Sequence, residues 1–500
     1  MFEVSTDGGD AEHLKTNLGV LRDISPLRPQ LLLQGFDGSL WTVVVAGDQP
    51  HRIGNLTTDD AAWSPDEATL YFARDHSIFS AAPDGSNAHK LLTVEGDPSW
   101  MRFSPDGRVL RFTVTTKLQQ GITSLWEAQA DGSHLHQLLP GFTNPASDCC
   151  GSWTPDGKYF VFRATQDGTS ALWTMREGGD WFHEVSHAPV RLTQAPLGAY
   201  FPLPGKDGKV YFAGVMPRGE LMRYDAKTRS LSPFLKGIPA SGLTFSKDGK
   251  HLVFMSYPDN ELWYGNSDGS GLRQLTFPPM HGGMVPRISP DGSRIAFTAY
   301  MPGKPPQIYV IPVDGSDPEA ITSGSQGSED PIWSPSGDGV LYGPWTVDNT
   351  TNGLTALEIV NLKTRAVTSI PGSSGLFSPK WSPDGRYLVA IKYDDVRLKL
   401  FDMNLRTWQD LAGDIKAGYP EWTPDSKCVV FVHQKDAARW EYRVCLADRK
   451  IQPIADVAAS GKLVEAFGSW GWTGLAPDGS ILALRDTSTQ EIYALDVDFR

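Results

Sequence analysis

A short turn motif, Ser-Pro-Asp-Gly or a close variant of it, recurs roughly every 45 residues, and a period of this length indicates an array of similar structural units. In most copies an aromatic residue precedes the motif, as Trp381 precedes Ser382, and an alternating apolar stretch follows it. The copies lie at 63–66, 103–107, 153–157, 204–208, 245–249, 288–292, 333–337, 381–385, 422–426 and 475–479. Each unit of such an array is stabilised by its neighbours.

Residues 96–139 show the content of one unit. An apolar stretch enters the motif at Phe103, the turn reverses the chain, and 108–114 then alternates roughly with period two, as a strand does. A third strand around Trp126 and a second turn at 131–133 lead to a last short strand. Four antiparallel strands in about 40–50 residues are typical of a β-propeller blade, so the predicted fold class is all-β.

The motif copies predict about eleven blades when a degenerate copy at residues 24–26 is included. Single propellers usually have about four to eight blades, so we expect two tandem propellers, at residues 1–240 and 241–500. The last repeat stops after its third strand, whereas residues 1–16 resemble the end of a blade. The N-terminal strand is therefore expected to close a ring with the C-terminal blade; loss of an upstream half-blade is the alternative.

Composition limits the partners of this 500-residue chain. A net charge of −13 disfavours a nucleic-acid-binding surface, because such surfaces need clustered lysine and arginine. No stretch is apolar enough for a membrane span, and the N-terminus has neither the basic region nor the apolar run of a signal peptide. We expect a soluble monomer that contacts no nucleic acid directly.

Four cysteines leave alternatives open. Cys149 and Cys150 are adjacent and could form a vicinal disulfide, act as a thiol sensor or lie in a buried turn. Cys428 falls opposite Cys445 in a predicted hairpin, so a cross-strand disulfide or two buried thiols are possible. No cysteine spacing suggests zinc, and residues 348–359 lack the final glutamate of a calcium loop. We therefore expect no metal and no cofactor.

The whole repeat phrase, from Trp-Ser-Pro-Asp-Gly to Asp-Gly-Ser and Leu-Thr, resembles the TolB-like repeat, also called PD40 or WD40-like. Intervening phrases, such as residues 148–151 and 484–486, are similar to the C-terminal propeller region of acidobacterial-type winged-helix membrane regulators. In those regulators a DNA-binding domain and a membrane helix precede the propeller, and this sequence contains neither. The resemblance implies a sensing or interaction module of a bacterial transcriptional regulator, in the periplasm, or else a TolB-like scaffold of a periplasmic assembly.

Propeller ligands usually meet the face formed by the loops between blades and between second and third strands. The ligand expected there is a protein, a peptide or a small molecule. Trp472 could stack on such a ligand or pack between blades, and His281 could line a pocket or belong to a plain loop. The candidate binding residues are Asp148, Cys149, Cys150, His281, Arg287, Trp345, Trp470 and Trp472.

Catalysis is not expected from the sequence, and we predict no catalytic residues. Related propellers gate α/β-hydrolase domains, which need a Gly-x-Ser-x-Gly elbow followed by aspartate and histidine. Residues 372–375, Gly-Ser-Ser-Gly, are one residue too short for that elbow and lead into the next blade. The repeated aspartates are assigned to turns, because the same residue recurs in nearly every blade. The prediction is a non-enzymatic binding module; a propeller hydrolase or lyase is the alternative.

Overall fold

The computed structural model describes residues 2–3, 12–13, 19–44, 49–116, 122–143, 146–166, 169–178, 188–194, 197–282, 286–301, 304–324, 327–345, 356–435, 438–459, 461–464 and 471–498. These residues form short antiparallel strands joined by turns, with a single-turn 3-10 segment at Leu235–Gly237. The predicted all-β fold is confirmed. Within the same residues, no helix has the length and apolarity needed to cross a bilayer.

Residues 1–216 and 490–500 make the first compact unit, here unit 1. Its described residues form five blades and a small sheet of β1 (Phe2–Glu3) with β2 (Glu12–His13). The blade strands are, in blade 1, β3 (Gly19–Ile24), β4 (Gln30–Gly35), β5 (Ser39–Val44) and β6 (His51–Thr57); in blade 2, β7 (Asp60–Trp63), β8 (Leu70–Arg74), β9 (Ser77–Ala81) and β10 (His89–Thr93); in blade 3, β11 (Asp97–Phe103), β12 (Val109–Thr116), β13 (Ile122–Gln129) and β14 (His136–Gln137); in blade 4, β15 (Asp148–Trp153), β16 (Tyr159–Gln166), β17 (Thr169–Arg176) and β18 (Val190–Arg191); and in blade 5, β19 (Gly198–Pro204), β20 (Lys209–Met216) and β46 (Thr489–Asp496).

Residues 217–489 make unit 2, whose described residues form six blades. The strands are, in blade 6, β21 (Gly219–Asp225), β22 (Ser230–Pro233), β44 (Thr473–Leu475) and β45 (Ile481–Asp486); in blade 7, β23 (Ala240–Phe245), β24 (His251–Ser256), β25 (Leu262–Asn266) and β26 (Arg273–Gln274); in blade 8, β27 (His281–Gly282), β28 (Arg287–Ile288), β29 (Arg294–Tyr300), β30 (Gln307–Pro312) and β31 (Glu319–Ala320); in blade 9, β32 (Ser328–Trp333), β33 (Gly339–Pro344), β34 (Glu358–Asn361) and β35 (Val367–Ser369); in blade 10, β36 (Leu376–Trp381), β37 (Tyr387–Lys392), β38 (Leu398–Asp402) and β39 (Thr407–Asp410); and in blade 11, β40 (Gly418–Trp422), β41 (Cys428–Lys435), β42 (Ala438–Cys445) and β43 (Ile451–Asp456). In blade 8, β27 and β28 both pair with β29 and together replace one first strand.

The repeat motif forms the turn between the first and second strands of a blade. In blade 10 the Ser382 hydroxyl donates to Asp384 Oδ1 at 2.6 Å, and the same oxygen accepts the Arg386 N–H at 3.0 Å. The Ser382 hydrogen bond holds the pKa of Asp384 below its usual value. Equivalent pairs are Ser64–Asp66, Ser104–Asp106, Thr154–Asp156, Ser246–Asp248, Ser289–Asp291 and Thr423–Asp425. The assignment of the repeated aspartates to turns is confirmed.

Two of the tryptophans that precede the motif, Trp333 and Trp422, lie between neighbouring blades. Trp333 of blade 9 is 4% exposed and packs among residues of blades 8 and 9. Its Nε1 donates to the backbone carbonyl of Arg287 in blade 8 at 2.8 Å. Trp422 of blade 11 donates in the same way to the carbonyl of Lys380 in blade 10, at 3.0 Å. These indoles fasten each blade to the preceding one.

The chain exchanges strands between blades 5 and 6. β20 is not followed in its own sheet by β21; the third strand of blade 5 is β46, from the C-terminal end of the chain. β21 pairs instead with β45, from Gly219 opposite Asp486 to Arg223 opposite Leu482. This corrects two expectations. The blade built on the last motif is completed by β21 and β22 rather than by the N-terminal strand, since β1 pairs with β2. The predicted third strand of the last repeat, at residues 492–495, lies in blade 5 instead of the blade built on the last motif.

This exchange also bears on where the units divide. The boundary predicted at residue 240 coincides with the first residue of β23, whereas the compact units divide at 216/217 and again at 489/490. Residues 217–239 lie with the second unit because they carry the two strands that complete blade 6.

Unit 2 is a closed ring of six blades. Its described residues form an apolar cluster at every junction between neighbouring blades. The closing junction packs Ala455 and Val457 of blade 11 against Ile481 and Ala483 of blade 6. Four corresponding clusters join blades 1 to 5 in unit 1. The core is therefore divided among the blade junctions, as in other radial arrays.

Cys428 and Cys445 are directly opposite in the pairing of β41 with β42, as the sequence predicted. Their sulfurs are bonded, so the structure contains the cross-strand disulfide and not the pair of buried thiols.

Tyr493 tests the strand exchange. On β46 its ring stacks on Phe212 of β20, with centroids 5.6 Å apart, whereas the adjacent Ile492 is 67% exposed. Tyr493→Ala should lower the free energy of unfolding of unit 1 by about 2 kcal/mol, because apolar contact area is lost. Ile492→Ala is the control and should cost much less. In hydrogen exchange, Tyr493→Ala should deprotect β20 and leave β45 protected; deprotection of β45 alone would contradict the exchange.

Glu441 is a buried acid at the closing junction of unit 2. It lies on β42, is 1% exposed, and hydrogen-bonds the Thr473 side chain of blade 6. Its Oε1 has no hydrogen-bond partner in the described part of the chain. Burial raises the pKa of Glu441 to about 7, because the charged form is poorly solvated there.

The stability of unit 2 should therefore depend on pH. The ordinary pKa of the carboxyl is 4.5, so the folded state holds the proton more tightly, and stability falls as pH rises from 4.5 to about 7. The loss should be about 3 kcal/mol over this window. Denaturant unfolding at pH 5 and pH 8 should show that Glu441→Gln removes this loss, whereas the exposed control Glu319→Gln retains it. An unchanged pH dependence in Glu441→Gln would refute the assignment.

Candidate functional sites at the axes of the two units

The first strands of most blades contain a bulge whose central residue has a positive φ. In blade 3, for example, the register with the second strand shifts between Ser99 and Arg102. First strands of neighbouring blades adjoin one another, so these bulges are brought together around the axis of each unit. The bulge residues and their φ angles are Trp100 (53°), Cys150 (60°), Phe201 (56°), Gly242 (61°), Asp330 (54°), Ser378 (50°) and Tyr419 (46°).

These positions are not among the residues predicted from the sequence, although a signal for them exists. Each bulge residue lies three positions before the first residue of its motif copy, as Ser378 lies before Trp381. In four copies it is followed by proline, as Tyr419 is by Pro420. The spacing is constant while the residue type changes, so the axis is the part of the blade that can carry specific chemistry.

In unit 1 two bulge residues form an aromatic pair. Trp100 of blade 3 and Phe201 of blade 5 stack with ring centroids 5.1 Å apart, and Phe201 is 49% exposed. The Arg102 guanidinium lies 4.7 Å from the centroid of Trp100. We call Trp100, Arg102 and Phe201 the axial aromatic surface. It can hold an apolar or aromatic group beside a negative one.

Cys149 and Cys150 belong to blade 4, between the two blades that supply this aromatic pair. They form a vicinal disulfide, which is one of the three alternatives that the sequence left open. The Cys150 N–H donates to Thr113 Oγ1 at 3.1 Å, and Arg163 Nη1 lies 3.8 Å from Cys149 Sγ. The Trp100 indole donates to the carbonyl of the next residue, Gly151, at 3.1 Å. The disulfide is thus part of the wall around the axial aromatic surface.

A buried ion pair lies behind this surface. Asp60 is 2% exposed, and its carboxylate accepts the Met101 N–H at 3.2 Å. The Arg22 Nε lies 3.6 Å from Asp60 Oδ1. Burial raises the pKa of Asp60, while Arg22 and Arg102 oppose this shift. These contacts tie the first strands of blades 1, 2 and 3 together beneath the aromatic pair.

In unit 2 an ion pair spans the ring. Arg287 belongs to blade 8 and Glu421 to blade 11, which is three blades away and hence opposite in a ring of six. Arg287 Nη2 lies 2.5 Å from Glu421 Oε1, and the two side chains are 11% and 23% exposed. Lys380 of blade 10 is 4% exposed, with its Nζ 3.4 Å from Ser378 Oγ. Burial lowers the pKa of Lys380, and the nearby Asp330 opposes this shift.

Asp148 and Trp472 pack between neighbouring blades. Asp148 is fully buried, and its carboxylate accepts the Leu125 N–H at 2.8 Å and the Thr143 hydroxyl at 3.1 Å, which ties blade 4 to blade 3. Trp472 is 2% exposed and packs between blades 6 and 7, which is the packing alternative. Trp470 lies outside the described residues.

His281 and Trp345 lie away from the Arg287–Glu421 pair. His281 Nδ1 is 3.8 Å from Glu261 Oε1, and the histidine side chain is 38% exposed. Trp345 packs edge-on against Tyr300, with ring centroids 5.7 Å apart. The described candidates are therefore dispersed: the two cysteines contribute to the axis of unit 1 and Arg287 to the axis of unit 2.

A double-mutant cycle tests the ion pair across unit 2. Glu421→Met alone should destabilise the unit by about 2–3 kcal/mol, because it leaves the Arg287 charge buried without its partner, and Arg287→Met is the second single variant of the cycle. The Arg287→Met/Glu421→Met double variant should recover part of this loss. The exposed pair Lys392–Asp394, whose charged atoms are 3.4 Å apart, is the control, with an expected coupling below about 1 kcal/mol. A coupling of that size for Arg287 and Glu421 would contradict a pair buried across the axis.

Similar proteins are consistent with this fold. The chain is 26% identical over 258 residues to an uncharacterized protein of Agrobacterium fabrum, covering 48% of this chain and 83% of that protein. It is 30% identical over 190 residues to a TolB homolog of Chlorobium chlorochromatii, covering 37% and 40%. The solved structure of a TolB protein from Agrobacterium tumefaciens aligns with a TM-score of 0.42 at 17% identity, over 54% of this chain and 98% of that chain. The sheets of the described residues are those of a β-propeller array, and two of these similar proteins are named TolB. No protein-family model matches the chain.

The prediction that the chain is not an enzyme is wrong, because named peptidases are among its relatives. An uncharacterized peptidase of Bacillus subtilis, YuxL, is 28% identical over 166 residues, which are 32% of this chain and 23% of that protein. A dipeptidyl-peptidase 5 of Aspergillus fumigatus is 28% identical over 148 residues, 25% of this chain and 20% of that protein. The chain spans about a fifth of the length of these peptidases.

Proposed function

We propose that this chain binds a polypeptide segment on the axial aromatic surface of unit 1. The observation that carries the proposal is the half-exposed Phe201 ring stacked on Trp100, with the Arg102 guanidinium over the indole. The rest of unit 1 places its large aromatic rings mostly in blade junctions, as Phe72, Phe112 and Phe160 show. An aromatic pair left partly open beside a cation is typical of a binding surface.

The chemistry of the surface favours a polypeptide. An apolar side chain laid on Phe201 would bury the exposed part of that ring and stabilise the complex by about 1–2 kcal/mol. A backbone carbonyl or a carboxylate beside it could accept hydrogen bonds from Arg102. Similarity to a TolB homolog also supports a role in binding other proteins. Use of this binding in a bacterial signalling or transcriptional regulator, or in a periplasmic scaffold, is part of the same proposal and rests on the repeat resemblance.

A second candidate is that the chain supplies the propeller part of a peptidase. The matches to two named peptidases favour it. In that case the axial aromatic surface would meet the substrate polypeptide. The two candidates share one binding event and differ in whether the bound peptide is cleaved.

Peptide display tests the surface directly. Peptides selected on the whole chain should bind Phe201→Ala at least about tenfold more weakly than the unsubstituted chain, because an aromatic anchor contributes at least that much. Leu405→Ala is the matched control, since Leu405 is 70% exposed in unit 2, and it should bind normally. The thermal midpoints of both variants check that the fold is intact.

Equal affinity of Phe201→Ala for every selected peptide would overturn the proposed surface. Mass spectrometry of the bound peptides then shows whether this chain itself cleaves them. Cleavage at a defined bond supports the peptidase candidate, and intact peptides after long incubation show that this chain binds without cleaving, as both a binding module and an isolated propeller part would.

A further inference from the structure

Unit 1 is an open array of blades, unlike unit 2. Its apolar clusters join blades 1 and 2, 2 and 3, 3 and 4, and 4 and 5, and none of the clusters formed by the described residues joins blade 5 to blade 1. First strands of successive blades adjoin, whereas β19 of blade 5 and β3 of blade 1 make no comparable contact in the described part of the chain. The same repeat closes a ring of six blades in unit 2, so the gap in unit 1 is where a sixth blade would lie.

Blade 5 presents an uncovered apolar face to this gap. Phe212 of β20 packs toward blade 4, so Tyr211 and its cross-strand neighbour Leu203 face away from blade 4. Ile492 lies on that same far face, because the adjacent Tyr493 stacks on Phe212. Leu203 is 55% exposed and Ile492 is 67% exposed. An apolar face left exposed in this way indicates an interaction surface.

The facing side of blade 1 is apolar as well. Leu31, Leu33 and Val43 form a cluster that contains residues of blade 1 only, and on β4 they alternate with the side chains that pack on blade 2. Their cross-strand neighbours on β3 are Leu21 and Ile24, which are 37% and 52% exposed. The exposed side chains belong to the first strand, so this side of the gap is open at the inner edge of the blade.

The hairpin of β1 and β2 comes directly before blade 1 in the chain. β2 precedes β3 as the fourth strand of a blade precedes the first strand of the next one, so β1 and β2 correspond to the third and fourth strands of a sixth blade. In a four-stranded blade the third strand pairs along both edges, whereas β1 pairs only with β2 among the described strands. One edge of β1 can therefore accept a further strand.

We propose that the gap between blades 5 and 1 binds a β-hairpin of a partner protein, which supplies the first and second strands of the missing blade. The second strand of that hairpin adds to the open edge of β1 through backbone hydrogen bonds, a recurring mode of polypeptide recognition. Its side chains bury Leu203 and Ile492 on one side and Leu21 and Ile24 on the other.

The position defines the chemistry of the partner. A blade contacts a neighbour on each side, so the hairpin must carry apolar side chains on both faces, as the second strand of blade 10 does over Leu388–Ile391. The gap is separate from the axial aromatic surface, because Phe201 extends over blade 4 to Trp100 whereas Leu203 faces away from blade 4. The two proposals can therefore fail separately.

Two hairpins of this chain serve as probes. They are synthetic peptides of residues 240–256 and 376–392, the first two strands of blades 7 and 10 with their turns. Fluorescence anisotropy on the whole chain should show saturable binding of at least one peptide. A peptide of the same composition with its apolar and polar positions shuffled is the control for each, and should bind at least about tenfold more weakly. If neither hairpin binds more tightly than its shuffled control, the proposal is wrong.

Two substitutions locate the binding. Leu203→Asp and Ile492→Asp each place a charge on the far face of blade 5, and each should weaken hairpin binding at least about tenfold, because the bound hairpin would bury that charge without a partner. Leu405→Asp, at a 70% exposed position of unit 2, is the matched control and should change affinity less than about twofold. Thermal midpoints check that the variants are folded. Normal hairpin binding by both blade 5 variants would overturn the proposal.

Light scattering of the whole chain tests a second copy of the chain as the occupant of the gap. A monomer that binds the hairpin supports the proposal. A dimer that dissociates in Leu203→Asp would show that a second copy covers this face, and would overturn the proposal.

Discussion

The backbone pairing of β21 with β45 is the constraint on which the rest of this structure depends. It joins Glu220 to Arg485, side chains that also hydrogen-bond across 265 positions of sequence. Bringing such distant segments together is entropically unfavourable, although the penalty grows only slowly with separation. This penalty is offset because the pairing closes the ring of unit 2, and the junction between blades 11 and 6 then buries an apolar cluster like those at the other junctions. The complementary pairing of β46 with β20 completes blade 5 in unit 1.

Closure explains why the axes carry the candidate chemistry. In unit 2, Arg287 and Glu421 face each other across three blades because the ring is closed. In unit 1, Trp100 lies close to Phe201 over blade 4 because the first strands of neighbouring blades adjoin. The blades of the two units have the same strand arrangement, but the side chains at the two axes differ. The bulge residues of unit 1 are mainly aromatic with a disulfide, whereas those of unit 2 accompany a buried network of charges. The repeat motif is the same in both, so it says nothing about this difference.

Local features of the fold could be predicted because local chemistry determines them. The Ser382–Asp384 turn, the Trp333 wedge and the register that places Cys428 opposite Cys445 follow from turn residues and period-two alternation. The strand exchange could not be predicted, because β21 and β46 are both short third strands and alternation does not state which partner each one takes. Pairing over long distances is decided by packing, here by Tyr493 on Phe212 and Leu221 among the residues of blades 6 and 7.

Only some residues of the candidate sites could be predicted from the sequence. Cys149, Cys150 and Arg287 were singled out as loop residues; the two cysteines lie at a bulge of β15 and Arg287 lies on β28, while Trp100, Phe201 and Lys380 were overlooked as ordinary strand residues. The enzyme prediction failed for another reason: a search for a catalytic motif within one chain does not reveal which larger proteins use the same repeats.

Disulfide trapping tests the exchange most directly. Glu220→Cys and Arg485→Cys, introduced together, place two cysteines at paired positions of β21 and β45. Mild oxidation should produce an intramolecular crosslink between residues 220 and 485, identified by mass spectrometry of the digested protein, with the chain still folded. Absence of this crosslink in folded, oxidised protein would contradict the pairing of β21 with β45, and with it the closure of unit 2 on which the Arg287–Glu421 pair depends.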